Sequence, residues 1–270
     1  MKNDRENLSK KETYALVTGG SSGIGLAFVH QLAQKGYNVC IVSNQQDELS
    51  VLEKEIPTKY PVKCIAFFLD LTHENVAQKI YDFCKERKIT VEVLINNAGF
   101  LVATELIKTS PEKTENMLKL HVLAPTLLSQ IFAKDMVNQG KGYILNTSST
   151  SAHMPYPLIS IYGPSKAYLY TFSKALRSEM YNKKVFVSCI LPGAVDTPLL
   201  ELNDSKRKLA RRLGIMHSPE YIAKKGLHGL FKNKRKTIPG ILNKISLPFL
   251  KLTPNFVILK VYEYWERKNA

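Results

Sequence analysis

Tyr162 and Lys166 stand four residues apart in Tyr162-Gly163-Pro164-Ser165-Lys166, a spacing that puts both side chains on one face of a helix. An ammonium beside a phenol favours the phenolate and draws the tyrosine pKa down from about 10 toward the working range. Such a phenol is a general acid for a ketone oxygen and, in reverse, a base for an alcohol. Upstream, Ser148-Ser149-Thr150-Ser151 supplies hydroxyls that would hold and orient the same oxygen, or merely cap a turn. Taken singly, Tyr162 also reads as a packing tyrosine and Lys166 as a solvated helix lysine. Pro164 lacks an N–H, so it costs little in the first helical turn and kinks the helix if it lies deeper.

A second group is rich in glycine. Thr18-Gly19-Gly20-Ser21-Ser22-Gly23-Ile24-Gly25 follows an apolar run and leads into a helical pattern. Glycines there allow a tight turn and let backbone N–H groups approach a pyrophosphate at the helix N-terminus. The spacing is G-x-x-x-G-x-G, not the commoner G-x-G-x-x-G, and a plain strand-to-helix turn has a similar look. Asn96-Asn97-Ala98-Gly99 and Pro192-Gly193-Ala194-Val195-Asp196-Thr197 close two later apolar runs.

In this order and spacing the motifs resemble the short-chain dehydrogenase/reductase family over about residues 12–200. The resemblance implies an NAD(P)-dependent oxidoreductase with Ser149, Tyr162 and Lys166 as its catalytic set. It implies that Gly19, Ser21, Ser22, Gly23, Ile24 and Gly25 hold the cofactor. Asp70 and Leu71 would meet the adenine, and Asn97, Ala98, Gly99, Pro192 and Gly193 would line the cleft. Tyr162 and Lys166 would reach the nicotinamide end, Lys166 on the ribose, with Thr197 at the carboxamide. One position departs from the pattern: His121 stands where the family usually has an asparagine that holds a relay water beside the lysine. A histidine donates and accepts, so His121 either preserves the relay and adds a titration near neutral pH, or simply packs.

Cofactor preference is read at the end of the second apolar run, Ile41-Val42-Ser43-Asn44-Gln45-Gln46. NAD-preferring relatives carry an acid there for the ribose 2′-hydroxyl. None occurs before Asp47, and Ser43 and Asn44 would donate to a 2′-phosphate, so NADP(H) is expected over NAD(H). No metal is expected.

The elements that must position these groups are legible as well. Residues 14–18, 38–43, 63–69, 91–96, 142–148 and 185–191 form β-rich runs, with helical patterns over 24–35, 47–55, 73–87, 111–137 and 162–182. Continuous apolar strands alternating with helices predict an α/β fold: a single Rossmann-type, doubly wound parallel sheet with helices on both faces. One catalytic domain is expected over 1–270, with a core of about 12–200, a substrate lid of about 193–218 and a basic, apolar extension of about 232–270.

Of the 270 residues, 44% are hydrophobic and 23% charged, which excludes disorder and disulfide mini-scaffolds. Four singly spaced cysteines give no zinc or thioredoxin-like pattern. The net charge of +15 is concentrated late, with 16 Lys+Arg against 5 Asp+Glu from Glu201 to Ala270. The start, Met1 to Glu6, is polar, and Ile245–Trp265 is broken by lysines and prolines, so neither a secretory signal nor a membrane span is expected. A cytoplasmic protein follows, peripheral on a membrane if Lys232-Asn233-Lys234-Arg235-Lys236 and the apolar tail meet an anionic surface. Packing or homo-oligomer contact is the competing account of the tail. Charge alone would admit nucleic acid, but no recognition motif supports it, so none is expected.

Apolar residues over the site, Leu199-Leu200-Glu201-Leu202 and Arg211-Arg212-Leu213-Gly214-Ile215-Met216, favour a hydrophobic substrate. The expected activity is NADPH-dependent ketone or secondary-alcohol chemistry on a lipid-like molecule, similar to 3-ketosphinganine and 3-ketoacyl reductases. A hydroxysteroid dehydrogenase and a non-catalytic cofactor-binding scaffold are the alternatives.

Overall fold

The computed structural model describes residues 13–154, 156–197, 208, 210, 212 and 214–269. The six apolar runs form strands: β1 (Thr13–Thr18), β2 (Asn38–Ser43), β3 (Cys64–Phe68), β4 (Thr90–Asn96), β5 (Gly142–Thr147) and β6 (Val185–Ile190). All six residues of β2 are buried, as a strand covered on both faces requires. With β7 (Ala194–Val195) and β8 (Met216–His217) forming a separate small parallel pair, β9 (Lys236–Thr237) completes a seven-stranded parallel sheet in the order β3-β2-β1-β4-β5-β6-β9.

Helices cover both faces. On one side α1 (Gly23–Gln34), α2 (Gln46–Lys59) and α7 (Pro219–Phe231) bury Phe28, Leu32, Ile56 and Leu230. On the other lie α3 (Val76–Glu86), α5 (Ala124–Gln139) and α6 (Tyr162–Glu179), with Ile80, Leu128, Phe132 and Leu176 inward. Because the strands are parallel, every loop leaving β1 to β6 opens on the same carboxyl edge, and the reversal of order between β1 and β4 marks the crevice where doubly wound sheets bind ligands.

Three expectations change. The single helix predicted over 111–137 is α4 (Pro111–Leu118), a π-turn over Lys119–Leu123, then α5. Pro125 has no N–H to give the carbonyl of His121, and the Ala124 N–H reaches five residues back to Lys119. The basic run 232–236 is not wholly an extension, because Lys236 pairs with Cys189 in β9. The tail forms two helices, α8 (Ile241–Lys251) and α9 (Asn255–Asn269), parted before Pro254. The lid residues Leu199, Leu200, Glu201, Leu202, Arg211 and Leu213 lie outside the described residues.

Candidate active site

Tyr162 is the first residue of α6, which places Pro164 in the first turn, where its missing N–H costs little. Lys166, one turn on, is 4% exposed, and its Nζ donates to the Thr147 carbonyl at the end of β5 (3.1 Å). Burial draws its pKa down to about 8. The ammonium lies 5.7 Å from the Tyr162 ring centroid.

Ser149 follows β5 and caps the 3₁₀ turn Thr150–His153. Its Oγ accepts the Ser151 N–H (3.1 Å), which leaves its proton for another acceptor, and its hydroxyl lies near enough to the Tyr162 phenol to lower that group's pKa. The capping role offered from sequence is thus present in the structure. Tyr162 itself departs from expectation. Burial pushes its pKa above the ordinary value, and the neighbouring Ser149 hydroxyl only partly offsets this. The phenol holds its proton at neutral pH.

For His121 the sequence leaves two readings open, a titrating relay or simple packing. It sits in the π-turn, 1% exposed. Nε2 accepts the Phe100 N–H (3.2 Å), so Nδ1 carries the proton and donates to Ser165 Oγ (3.0 Å), which donates to the Tyr162 carbonyl (2.8 Å). Burial first, and the Lys166 charge second, hold its pKa well below the ordinary value. The ring is neutral with both nitrogens engaged, which fits the packing reading and not a titration near neutral pH. A Cβ on Gly99 would lie 2.7 Å from His121 Nε2 and 3.4 Å from Lys166 Nζ, so glycine is what lets this strand end pass between them.

A cleft of about 880 Å³ runs along the carboxyl edge of the sheet. It brings together Gly19, Ser21, Ser22, Gly23, Ile24, Ser43, Asn44, Asp70, Leu71, Asn97, Ala98, Gly99, Ser149, Tyr162, Lys166, Pro192, Gly193 and Thr197. Gly25 and His121 stand behind its wall. A Cβ on Gly25 would overlap the Gly19 carbonyl, so Gly25 shapes the turn from below. Gly19 and Gly23 have φ of 62° and 53°, the left-handed region that glycine adopts without strain.

The cleft fits a nicotinamide dinucleotide. Its volume lies in the ligand-pocket range. Helix α1 presents its N-terminus with no side-chain cap at Ser22 and no acid in its first turn, leaving N–H groups and the positive dipole end for a pyrophosphate. The Thr147 and Ser151 hydroxyls line the wall, buried and without a partner among the described residues. Asp70 accepts from the Thr72 N–H and hydroxyl (both 2.8 Å) and from Asn44 (3.4 Å). Partial burial raises its pKa, but these bonds outweigh that and hold it low.

Ser43 differs from expectation. Ser21 donates to Gln45, so the 2.7 Å Ser43–Ser21 contact uses the Ser43 proton, and Ser43 Oγ accepts the Gln45 N–H. Its hydroxyl has no proton left for a 2′-phosphate, and Asn44 remains as the donor at this strand end.

Sequence reasoning missed Phe100, Leu101, Met154 and Ile159, which line the same cleft as Tyr162. Ser165 lay within the Tyr-to-Lys motif, but its tie to His121 depends on the π-turn. Among the described residues no group of His, Cys, Asp or Glu is placed to hold a metal ion, and no helix is long and apolar enough to cross a membrane.

The short chain dehydrogenase family model matches residues 13–208. The chain is 32% identical over 265 residues to 17-beta-hydroxysteroid dehydrogenase type 3 of Mus musculus, covering 95% of this chain and 84% of that protein. It is 32% identical over 193 residues to very-long-chain 3-oxoacyl-CoA reductase of Macaca fascicularis, covering 70% of this chain and 61% of that reductase. A short-chain dehydrogenase from Sphingobium yanoikuyae, solved in complex with NADPH, superposes with a TM-score of 0.75 at 26% identity, covering 84% of this chain and 87% of that one.

Proposed function

Because this chain belongs to the short-chain dehydrogenase family, we propose that it is an NADP(H)-dependent oxidoreductase that reduces a ketone on a hydrophobic, lipid-like substrate such as a 3-keto lipid. The observation that carries this reading is the gathering of Ser149, Tyr162 and the buried Lys166 in one cleft that Phe100, Leu101, Met154 and Ile159 also line. Ser149 and Tyr162 both present hydroxyl protons to a carbonyl oxygen placed against them. Tyr162 gives up its proton as the oxygen gains charge, and the Lys166 cation beneath stabilises the phenolate that results. A bound nicotinamide supplies the hydride. Gly19 to Ile24 would hold its pyrophosphate, Asp70 and Leu71 its adenine end, and Lys166 and Thr197 its nicotinamide end. The preference for NADP(H) rests on the strand end at Ser43-Asn44-Gln45, which offers no carboxylate to repel a 2′-phosphate.

A hydroxysteroid dehydrogenase is the second reading. It is favoured by the similarity to the mouse steroid enzyme, which extends over 95% of this chain. The test is NADPH and NADH oxidation at 340 nm with 3-ketosphinganine, a 3-ketoacyl thioester and a ketosteroid, with Tyr162→Phe alongside. Turnover of the long-chain ketones with NADPH, lost by at least about 100-fold in the variant, is the expected result. Steroid-only turnover establishes the second reading. Full activity in Tyr162→Phe overturns the role given to the phenol.

A further inference from the structure

Between Tyr221 and Tyr262 the chain carries nine Lys or Arg and no Asp or Glu. Within that stretch α8 turns an apolar stripe outward instead of inward. Ile241, Ile245, Phe249 and Leu252 recur at helical spacing, the last three 58%, 72% and 76% exposed, while Leu247 on the opposite side is buried. Helix α9 repeats the pattern with Phe256, Leu259, Val261 and Tyr264 exposed. Lys244, Lys251 and Lys260 punctuate both helices. Contiguous exposed apolar surface of this kind marks an interaction site, whereas single exposed side chains would need no account.

The platform is built onto the cleft. Asn243 of α8 lies against Gly193, where a Cβ would come within 2.5 Å of Asn243 Oδ1. The Tyr156 hydroxyl bonds the Leu250 carbonyl (3.5 Å) and Thr253 Oγ1 (3.4 Å), tying α8 to the loop that follows the Ser149 turn. On the far side, Tyr262 and Glu266 of α9 lie near enough to Lys108 to act on its charge, and the turn bearing Lys108 also exposes Leu106 and Ile107. Basic groups adjoin the stripe: Lys251, Lys236 and Lys174, from α8, β9 and α6, all lower the pKa of His153 in the Ser149 turn, after burial.

We propose that α8 and α9 form a docking face for an anionic lipid bilayer, seating the mouth of the cleft against the membrane. The apolar stripes enter the interface, and the lysines beside them meet phosphate or carboxylate headgroups. Charge complementarity selects this occupant. A second copy of the chain would bring the same face, with five Lys or Arg against only Glu263 and Glu266 over α8 and α9, onto this one, and the net positive charges would repel. The proposal stands on the surface alone and does not depend on which ketone is reduced.

Co-sedimentation of the full chain with vesicles of phosphatidylcholine, with and without 30% phosphatidylserine, tests it. Binding to the anionic vesicles is expected at least tenfold above the zwitterionic ones, weakening between about 0.1 and 0.5 M salt as screening grows. Ile245→Glu with Phe249→Glu should lose that binding at least tenfold, with unchanged melting temperature and unchanged turnover of a short, water-soluble ketone. Lys244→Glu with Lys260→Glu should abolish the preference for anionic lipid. Absence of vesicle binding, or binding indifferent to Ile245→Glu with Phe249→Glu, overturns the proposal. So does a dimer in sedimentation analysis that those two substitutions dissociate, because a second copy then covers the face.

Discussion

Lys166 is the group whose energetics the structure constrains most closely. It is buried, its Nζ donates to the Thr147 carbonyl, and its pKa falls to about 8 from an ordinary 10.5. The unfolded chain therefore holds more protons than the folded one between pH 8 and 10.5, so stability rises with pH across that window. Below pH 8 the buried cation costs about 3 kcal/mol, taking about 1.4 kcal/mol per pH unit of the difference; near pH 10 about 1 kcal/mol remains. Lys166→Met has no such dependence. Its loss of the Thr147 hydrogen bond is constant with pH and cancels from the comparison. Wild type should thus gain about 2–3 kcal/mol on the variant between pH 7 and 10. In thermal melts at matched ionic strength the two melting temperatures should shift relative to each other by roughly 5–10 °C. Parallel melting curves across that range would refute the depressed pKa.

Three further outcomes follow from the site. His121 is locked and neutral, so the kcat/KM profile of wild type should show no limb between about pH 5.5 and 7.5, and His121→Gln should keep the profile's shape while raising KM; a limb near 6.5 that disappears in the variant would restore the titrating role. Asn44→Asp puts a carboxylate where a 2′-phosphate is expected and should raise the KM for NADPH at least tenfold (about 1.4 kcal/mol) relative to NADH in a two-cofactor kinetic comparison. Gly99→Ala inserts a methyl 2.7 Å from His121 Nε2 and should cost about 1–3 kcal/mol in urea unfolding, with KM moving more than cofactor affinity.

The strands and the glycine turn were legible because each depends on local chemistry: six continuous apolar runs, and a motif whose glycines adopt positive φ. Ser149, Tyr162 and Lys166 were legible through their joint spacing, and the structure puts all three on one wall. What escaped depends on contacts across the chain. The π-turn follows from Pro125 acting on a carbonyl four residues back, yet its consequence is that His121 faces Phe100 and Ser165, a pairing no periodicity encodes. Ser43 looked free at a strand end, but Ser21 from the glycine turn takes its proton. Strand β9 was hidden because two residues within a lysine-rich run carry no strand pattern. The outward apolar stripe of α8 has the same periodicity as an inward one, and only packing distinguishes them.

Burial acts in opposite directions on the two ionisable groups at the centre of the site. It raises the Tyr162 pKa, because a buried phenolate is costly, and lowers that of Lys166, because a buried ammonium is costly. Across the neutral range the pair consequently rests as phenol and ammonium. Phenol is the form that protonates a ketone oxygen, and phenolate the form that takes a proton from an alcohol. A positive charge brought close to Tyr162 would oppose the effect of burial, so the form of the bound dinucleotide bears on the phenol as well as on the hydride. The fold needs no dedicated device for these opposed shifts: closing a parallel sheet with helices on both faces, and seating the tyrosine at the first turn of α6 over the end of β5, already desolvates both groups.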